Sequence, residues 1–197
     1  MGALAVCAAW APFADPDQLG GLAAVALGVL GYSVVQLVVA LRGGPPAAGP
    51  VRVRRVRQQH RLLSRSWVEI VPASGGEGRW VPVHFHPVLL GMVERTVPAA
   101  EALRPDGVRL FPAGRVRRAE PPGQLVDNPS RPDPDAAGRG GVRRRLVLDA
   151  QSAVAAPFAA LFWIYLDGGG LGAFAGACSV AAVGALWLAA VRGSDPS

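Results

Sequence analysis

The chain has 197 residues, 51% of them apolar, a mean hydropathy of +0.29 and a formal charge of +6 in which all 20 basic residues are arginine. That is too hydrophobic for an ordinary soluble domain, and the apolar residues crowd into the two ends of the chain. The absence of lysine, with Ala, Gly, Val and Pro in excess, is the codon bias of a high-GC bacterium and says little about function.

Residues 2–13 (GALAVCAAWAPF) are apolar but would extend only about 18 Å as a helix, short of a hydrocarbon core of roughly 30 Å. No Arg or Lys precedes Arg42, so the basic start of a cleavable signal peptide is missing. The stretch reads as a partial helix, inserted only in part or shortened by a late start. Asp15-Pro16-Asp17 separates it from residues 19–41, a full uncharged span. Gly20, Ala24 and Gly28 lie at four-residue steps on it, a small-residue stripe that lets another helix approach closely. Residues 1–42 therefore form an N-terminal membrane hairpin.

Gly43-Gly44-Pro45-Pro46 ends that helix, and strand signals follow from residue 50. Val51-Arg-Val-Arg alternates with period two. Trp67-Val-Glu-Ile-Val and Arg79-Trp-Val-Pro-Val-His-Phe-His flank the turn-rich Ser74–Gly78, which predicts a hairpin with Val68, Ile70, Val81, Val83 and Phe85 on its core side. Short strands are expected again over 108–111, 115–118 and 124–126, between Pro-Gly turns. Residues 50–128 thus read as a small all-β domain, an SH3-like or OB-like barrel. Residues 129–145, and 129–142 (PSRPDPDAAGRGGV) above all, read as a flexible tether.

The C-terminal part, 147–192, reads as a second membrane hairpin with spans over 150–166 and 171–191. Pro157 predicts a kink, Trp163 and Tyr165 fit a membrane boundary, and Asp167-Gly168-Gly169-Gly170 a tight turn. Gly172 and Gly176 place small residues on the last helix. These Gly/Ala faces read as seams between helices of one chain, with a homodimer seam as the alternative. Cys7 and Cys178 sit alone in apolar segments and read as packing residues. No acid, base or His lies inside a full span, which argues against a carrier.

Orientation follows from the arginines. Seven lie between Arg42 and Arg65, and Arg139, Arg143, Arg144 and Arg145 precede the second hairpin, whereas loops 14–18 and 167–170 hold only Asp15, Asp17 and Asp167. The central domain is therefore expected in the cytoplasm of a bacterial inner membrane. A pI near 10.8 suggests nucleic acid, yet residues 66–138 carry eight Arg against nine acids. The excess is juxtamembrane, which excludes nucleic acid as the expected partner. Arg54, Arg55, Arg57, Arg143, Arg144 and Arg145 are the expected contacts to anionic lipid, at about 1 kcal/mol each near the surface.

One constellation resembles a site. In His84-Phe85-His86 the two imidazoles share a strand face with Trp80 and Pro82, but the third ligand of a metal site is missing, so no metal or other cofactor is expected. Phosphate loops, nucleophile elbows and zinc-protease motifs are absent from the sequence, and no catalytic residue is assigned. Trp80, His84 and His86 are instead the expected protein-binding residues.

Arg65-Ser-Trp-Val-Glu, Arg79-Trp-Val-Pro-Val-His-Phe and Leu110-Phe-Pro-Ala-Gly-Arg resemble segments of uncharacterised integral membrane proteins of actinobacteria, over residues 19–125; the resemblance implies no activity. In its parts alone the chain is also similar to NfeD-type proteins, whose small OB barrel follows the membrane helices instead of interrupting them. The expectation is a non-enzymatic membrane protein whose cytoplasmic β domain is an interaction or scaffold module, in contact with lipid, with an unidentified protein and with possible copies of itself. The alternatives are a membrane-bound metal protein or enzyme using His84 and His86, and an accessory subunit of a larger membrane complex.

Overall fold

The computed structural model describes residues 2–42, 49–60, 63–127 and 141–195. They fall into two compact units, one from 1–35 and 149–190, the other from 36–148 and 191–197. The Gly-Pro linker and most of the expected tether lie outside the described residues.

The helices are α1 (Gly2–Trp10), α2 (Pro16–Arg42), α3 (Val142–Ala150), α4 (Ala156–Asp167) and α5 (Leu171–Val191). Among the described residues three helical runs are long and apolar enough to cross a membrane: Pro16–Arg42, Val142–Asp167 and Leu171–Val191. Their outer faces leave Leu27, Val34, Leu37, Phe158, Phe162 and Leu171 exposed. Asp15 starts α2 by accepting the Gln18 amide at 2.9 Å, the ordinary N-cap arrangement.

The middle run begins well before the span expected at 150–166. Val142 already opens a helix, so residues 142–145 are helical and not part of a tether. Arginine is a good helix former, and nothing between Val142 and Ala150 interrupts the hydrogen-bond ladder. Nor does Pro157 kink the middle of a helix. It stands in the first turn of α4, where its missing N–H costs no bond, after a tighter 3₁₀ stretch at Gln151–Ala155.

Within the first unit aromatic rings find the glycines. Trp10 donates from Nε1 to the Ser179 hydroxyl at 2.9 Å, and a Cβ at Gly176 would stand 3.2 Å from its ring. A Cβ at Gly21 would stand 2.9 Å from Cζ2 of Trp163. Tyr32 and Trp187 meet edge to face at 5.8 Å. Of the small residues expected at seams, Gly176 is at one. Among the described residues a Cβ at Gly20, Gly28 or Gly172 would meet nothing within 4 Å, and Ala24 is exposed.

The second unit is an antiparallel sheet of β1 (Pro50–His60), β2 (Leu63–Pro72), β3 (Arg79–Val83), β4 (Arg95–Pro98) and β5 (Gln124–Asp127). The order is β3-β2-β1-β4, and β5 joins β1 further along. The sheet is open; β4 and β5 share an edge of β1 instead of closing a barrel. The expected β2–β3 hairpin forms with Val68 opposite Val81 and Ser66 opposite Val83. Val51, Val53, Val68, Ile70, Val81 and Val83 build the main core with Leu89, Met92, Leu103 and Leu110, and Phe85 packs at its margin. The opposite face carries a smaller cluster of Val56, Trp67 and Trp80.

Candidate functional site

The expected binding residues divide. Trp80 is only 7% exposed and packs with Val56 and Trp67, so its ring is core and not a recognition surface. Its position opposite Glu69 places it on the face away from the main core, where the sheet has a second apolar layer. β3 ends at Val83, so His84 and His86 follow the strand. The exposed His86 accepts the Val88 amide on Nδ1 at 3.2 Å and caps the 3₁₀ turn Pro87–Gly91. His84 is half-buried, and its amide donates to the Phe111 carbonyl at 3.0 Å. Among the described residues no three His, Cys, Asp or Glu side chains converge as metal ligands would.

The expected lipid-contact arginines divide as well. Arg143 and Arg144 are exposed in the first turn of α3, and Arg145 follows in the same helix. Arg57 is half-buried. Arg54, on β1, pairs with Glu69 opposite it on β2. Arg55 departs from the expectation, with a side chain only 1% exposed and aimed into the domain. Its Nε donates to the Ser66 hydroxyl at 3.0 Å, Nη1 to the Leu89 carbonyl at 3.3 Å, and Nη2 to the Asp195 carboxylate at 2.9 Å. With its donors engaged and water excluded, this guanidinium is not available to a headgroup.

The chain beyond α5 completes that network. Asp195 donates its amide to the Ser64 carbonyl at 2.8 Å, Ser194 pairs antiparallel with Arg65, and Ser66 donates to the same carboxylate oxygen that Arg55 holds. Gly193 makes the approach possible. Its φ is +77°, and a Cβ there would stand 2.8 Å from that of Ala113. Neither the burial of Arg55 nor the return of residues 193–195 was expected from the sequence.

The most distinctive exposed feature lies outside β3. Residues 111–117 run along that strand: the Trp80 amide donates to the Arg117 carbonyl at 2.8 Å, the Arg117 amide returns the bond at 2.9 Å, and the Ala113 amide donates to Pro82 at 2.8 Å. Between the two bridges β3 advances three residues, Trp80 to Val83, and the outer segment five, Pro112 to Arg117, and Pro82 has no N–H to give, so the ladder is reduced to isolated bridges. The strands expected at 108–111 and 115–118 do not form as such. The segment leaves Phe111 44% and Val116 40% exposed. The Arg109 guanidinium lies 5.2 Å from the Phe111 ring centroid, and Arg115, Arg117 and Arg118 are exposed further along the segment. Between 109 and 118 there are four arginines and no acid.

No family model, curated protein or solved structure matches this chain. Aromatic and arginine side chains are the residue types enriched at protein interfaces, and a guanidinium held over an exposed ring is partly ordered before any partner arrives. The charge balance of residues 66–138 conceals this edge, because Glu69, Glu94 and Asp106 are engaged elsewhere with Arg54, Arg52 and Arg95.

Proposed function

We propose that the protein is a non-enzymatic, membrane-anchored interaction module of a bacterial inner membrane, its β unit in the cytoplasm. The observation that carries this reading is the edge at 109–118, where Phe111 and Val116 stand exposed among Arg109, Arg115, Arg117 and Arg118. Its complement is a protein surface with an apolar recess rimmed by carboxylates. The arginines at the helix ends support the cytoplasmic placement. The interaction reading moves from Trp80 and His84 to this edge because Trp80 is buried.

Crosslinking in native membranes, mild-detergent purification and mass spectrometry test the proposal. A partner recovered with the wild type is expected to be lost with Phe111→Ala and with Arg117→Glu, and retained with His86→Ala. Equal recovery with Phe111→Ala would remove the edge from the reading.

A second reading, an accessory subunit of a larger membrane complex, is favoured by one observation. Gly20, Ala24 and Gly28 form a face of α2 on which a Cβ at Gly20 or Gly28 would meet nothing within 4 Å among the described residues. Such a subunit is expected to migrate with other membrane proteins on a native gel, and Gly28→Leu is expected to release it.

A further inference from the structure

The first unit contains a cleft of about 650 Å³ among α1, α2, α4 and α5. On the reading of these helices as membrane-spanning, we infer that the cleft holds a single acyl chain of a bilayer lipid whose amine-bearing headgroup rests at Asp15.

The walls explain the space. Trp10 and Trp163 line it, each with its ring pressed on a glycine, Gly176 and Gly21. Gly172 and Gly184 also line it, yet nothing stands within 4 Å of where their Cβ atoms would be. Two rings seated on glycines bracket a gap that the neighbouring glycines leave open. The polar side chains of the wall are Asp15 and Gln18, both at the start of α2, and the Gly169-Gly170 turn also reaches the lining. A dry length of wall with a polar lip matches an amphiphile and not a file of waters, each of which needs two or more polar partners.

Volume decides what kind of chain fits. An apolar cavity of about 150 Å³ takes one benzene, roughly 25 Å³ per carbon. At that rate the cleft has room for about two dozen carbons, enough for one acyl chain. A spanning helix about 10 Å across and roughly 30 Å long fills more than three times this space. Charge selects the headgroup. Residues 1–41 and 146–191 contain no Arg, Lys or His, while Asp15, Asp17 and Asp167 lie at this end. An anionic headgroup meets only like charge there, whereas an ammonium group meets the Asp15 carboxylate.

The open glycines supply the test. Gly172→Leu and Gly184→Leu fill the cleft from inside, and leucine is the better helix former, so the helices are retained. The full chain is placed in nanodiscs of equimolar phosphatidylethanolamine and phosphatidylglycerol, extracted in mild detergent, and its retained lipid counted by native mass spectrometry. The wild type is expected to keep one phosphatidylethanolamine. Losing contact with two methylenes corresponds to about ten-fold weaker retention in each leucine variant. Asp15→Asn is expected to keep a lipid but lose the preference for the amine. Wild type without stoichiometric lipid, leucine variants that retain it undiminished, or a preference for phosphatidylglycerol would each overturn the inference. A chain that needs no detergent to leave the membrane fraction would overturn the spanning reading itself, a separate outcome.

Discussion

Replacing Asp195 by Asn tests whether the chain beyond α5 holds the β unit together. The side chains of Arg55 and Asp195 are 1% and 0% exposed. Arginine cannot shed its proton in a protein. Asp195→Asn therefore leaves a buried cation facing a neutral amide, with the shape of the network almost unchanged. Removing one partner of such a pair costs about 3–5 kcal/mol, a large share of the roughly 5–15 kcal/mol that a domain has in total. At roughly 4–8 °C per kcal/mol for a domain of this size, the unfolding midpoint should fall by at least about 12 °C. The midpoint can be followed by tryptophan fluorescence, and hydrogen exchange over residues 63–72 assigns the loss to the sheet. Arg54→Ala is the control, because Arg54 pairs with Glu69 on the opposite face and its side chain is 37% exposed; it should cost less than about 1 kcal/mol. The double replacement Arg55→Met with Asp195→Leu should recover most of the loss, since a well-packed apolar pair can match a buried ion pair. A midpoint for Asp195→Asn no lower than that of Arg54→Ala would refute the network as a structural support.

Other substitutions separate positions that look alike in the sequence. Gly193→Ala forces a side chain into a left-handed conformation against Ala113 and should cost about 1–3 kcal/mol by thermal unfolding. At Gly123, with φ +139°, a Cβ would stand 2.7 Å from the Gln59 carbonyl oxygen. Gly123→Ala should therefore raise hydrogen exchange in β5 and in residues 57–59 while leaving the β2–β3 hairpin protected. Gly21→Leu should displace Trp163 and lower stability in detergent. Its neighbour change Gly20→Leu should be tolerated, because nothing stands within 4 Å of that position; equal effects at the two would contradict the packing of α2.

The long apolar runs are legible because an uncharged stretch of more than 20 residues is long and apolar enough to cross hydrocarbon. The expected 19–41 and 171–191 correspond to Pro16–Arg42 and Leu171–Val191. The start of the middle run was not legible, since hydropathy registers the apolar residues and passes over the arginines that continue the same backbone ladder. The seams were hidden for a different reason. Every face of a spanning helix is apolar, and Gly and Ala are abundant on all of them, so spacing alone does not separate Gly21 from Gly20. The useful signal is the tryptophan, because Trp10 lies on Gly176 and Trp163 on Gly21.

In the β unit, the hairpin at Ser74–Gly78 was read correctly because two alternating runs flank a glycine-rich turn. β4, only Arg95–Pro98, carries no such pattern. The far half of β1, Arg-Val-Arg-Gln-Gln-His, holds a single apolar residue and gives little strand signal. Yet the alternation already contained the answer. If Val51 and Val53 face the core, strict period two turns Arg55 inward and Arg54 outward. The doubled arginine therefore required either a bulge at that point or a buried partner for one guanidinium. β1 pairs with β2 in unbroken register there, from Val51 opposite Pro72 to His60 opposite Leu63, which removes the first option. The partner is Asp195, 140 positions away along the chain. Counting Arg54, Arg55 and Arg57 together as membrane-proximal charge treated as equivalent three residues whose surroundings differ by strand parity and by a distant carboxylate. An arginine that falls in phase with core valines is better read as a demand for an acid elsewhere in the chain than as one more positive charge.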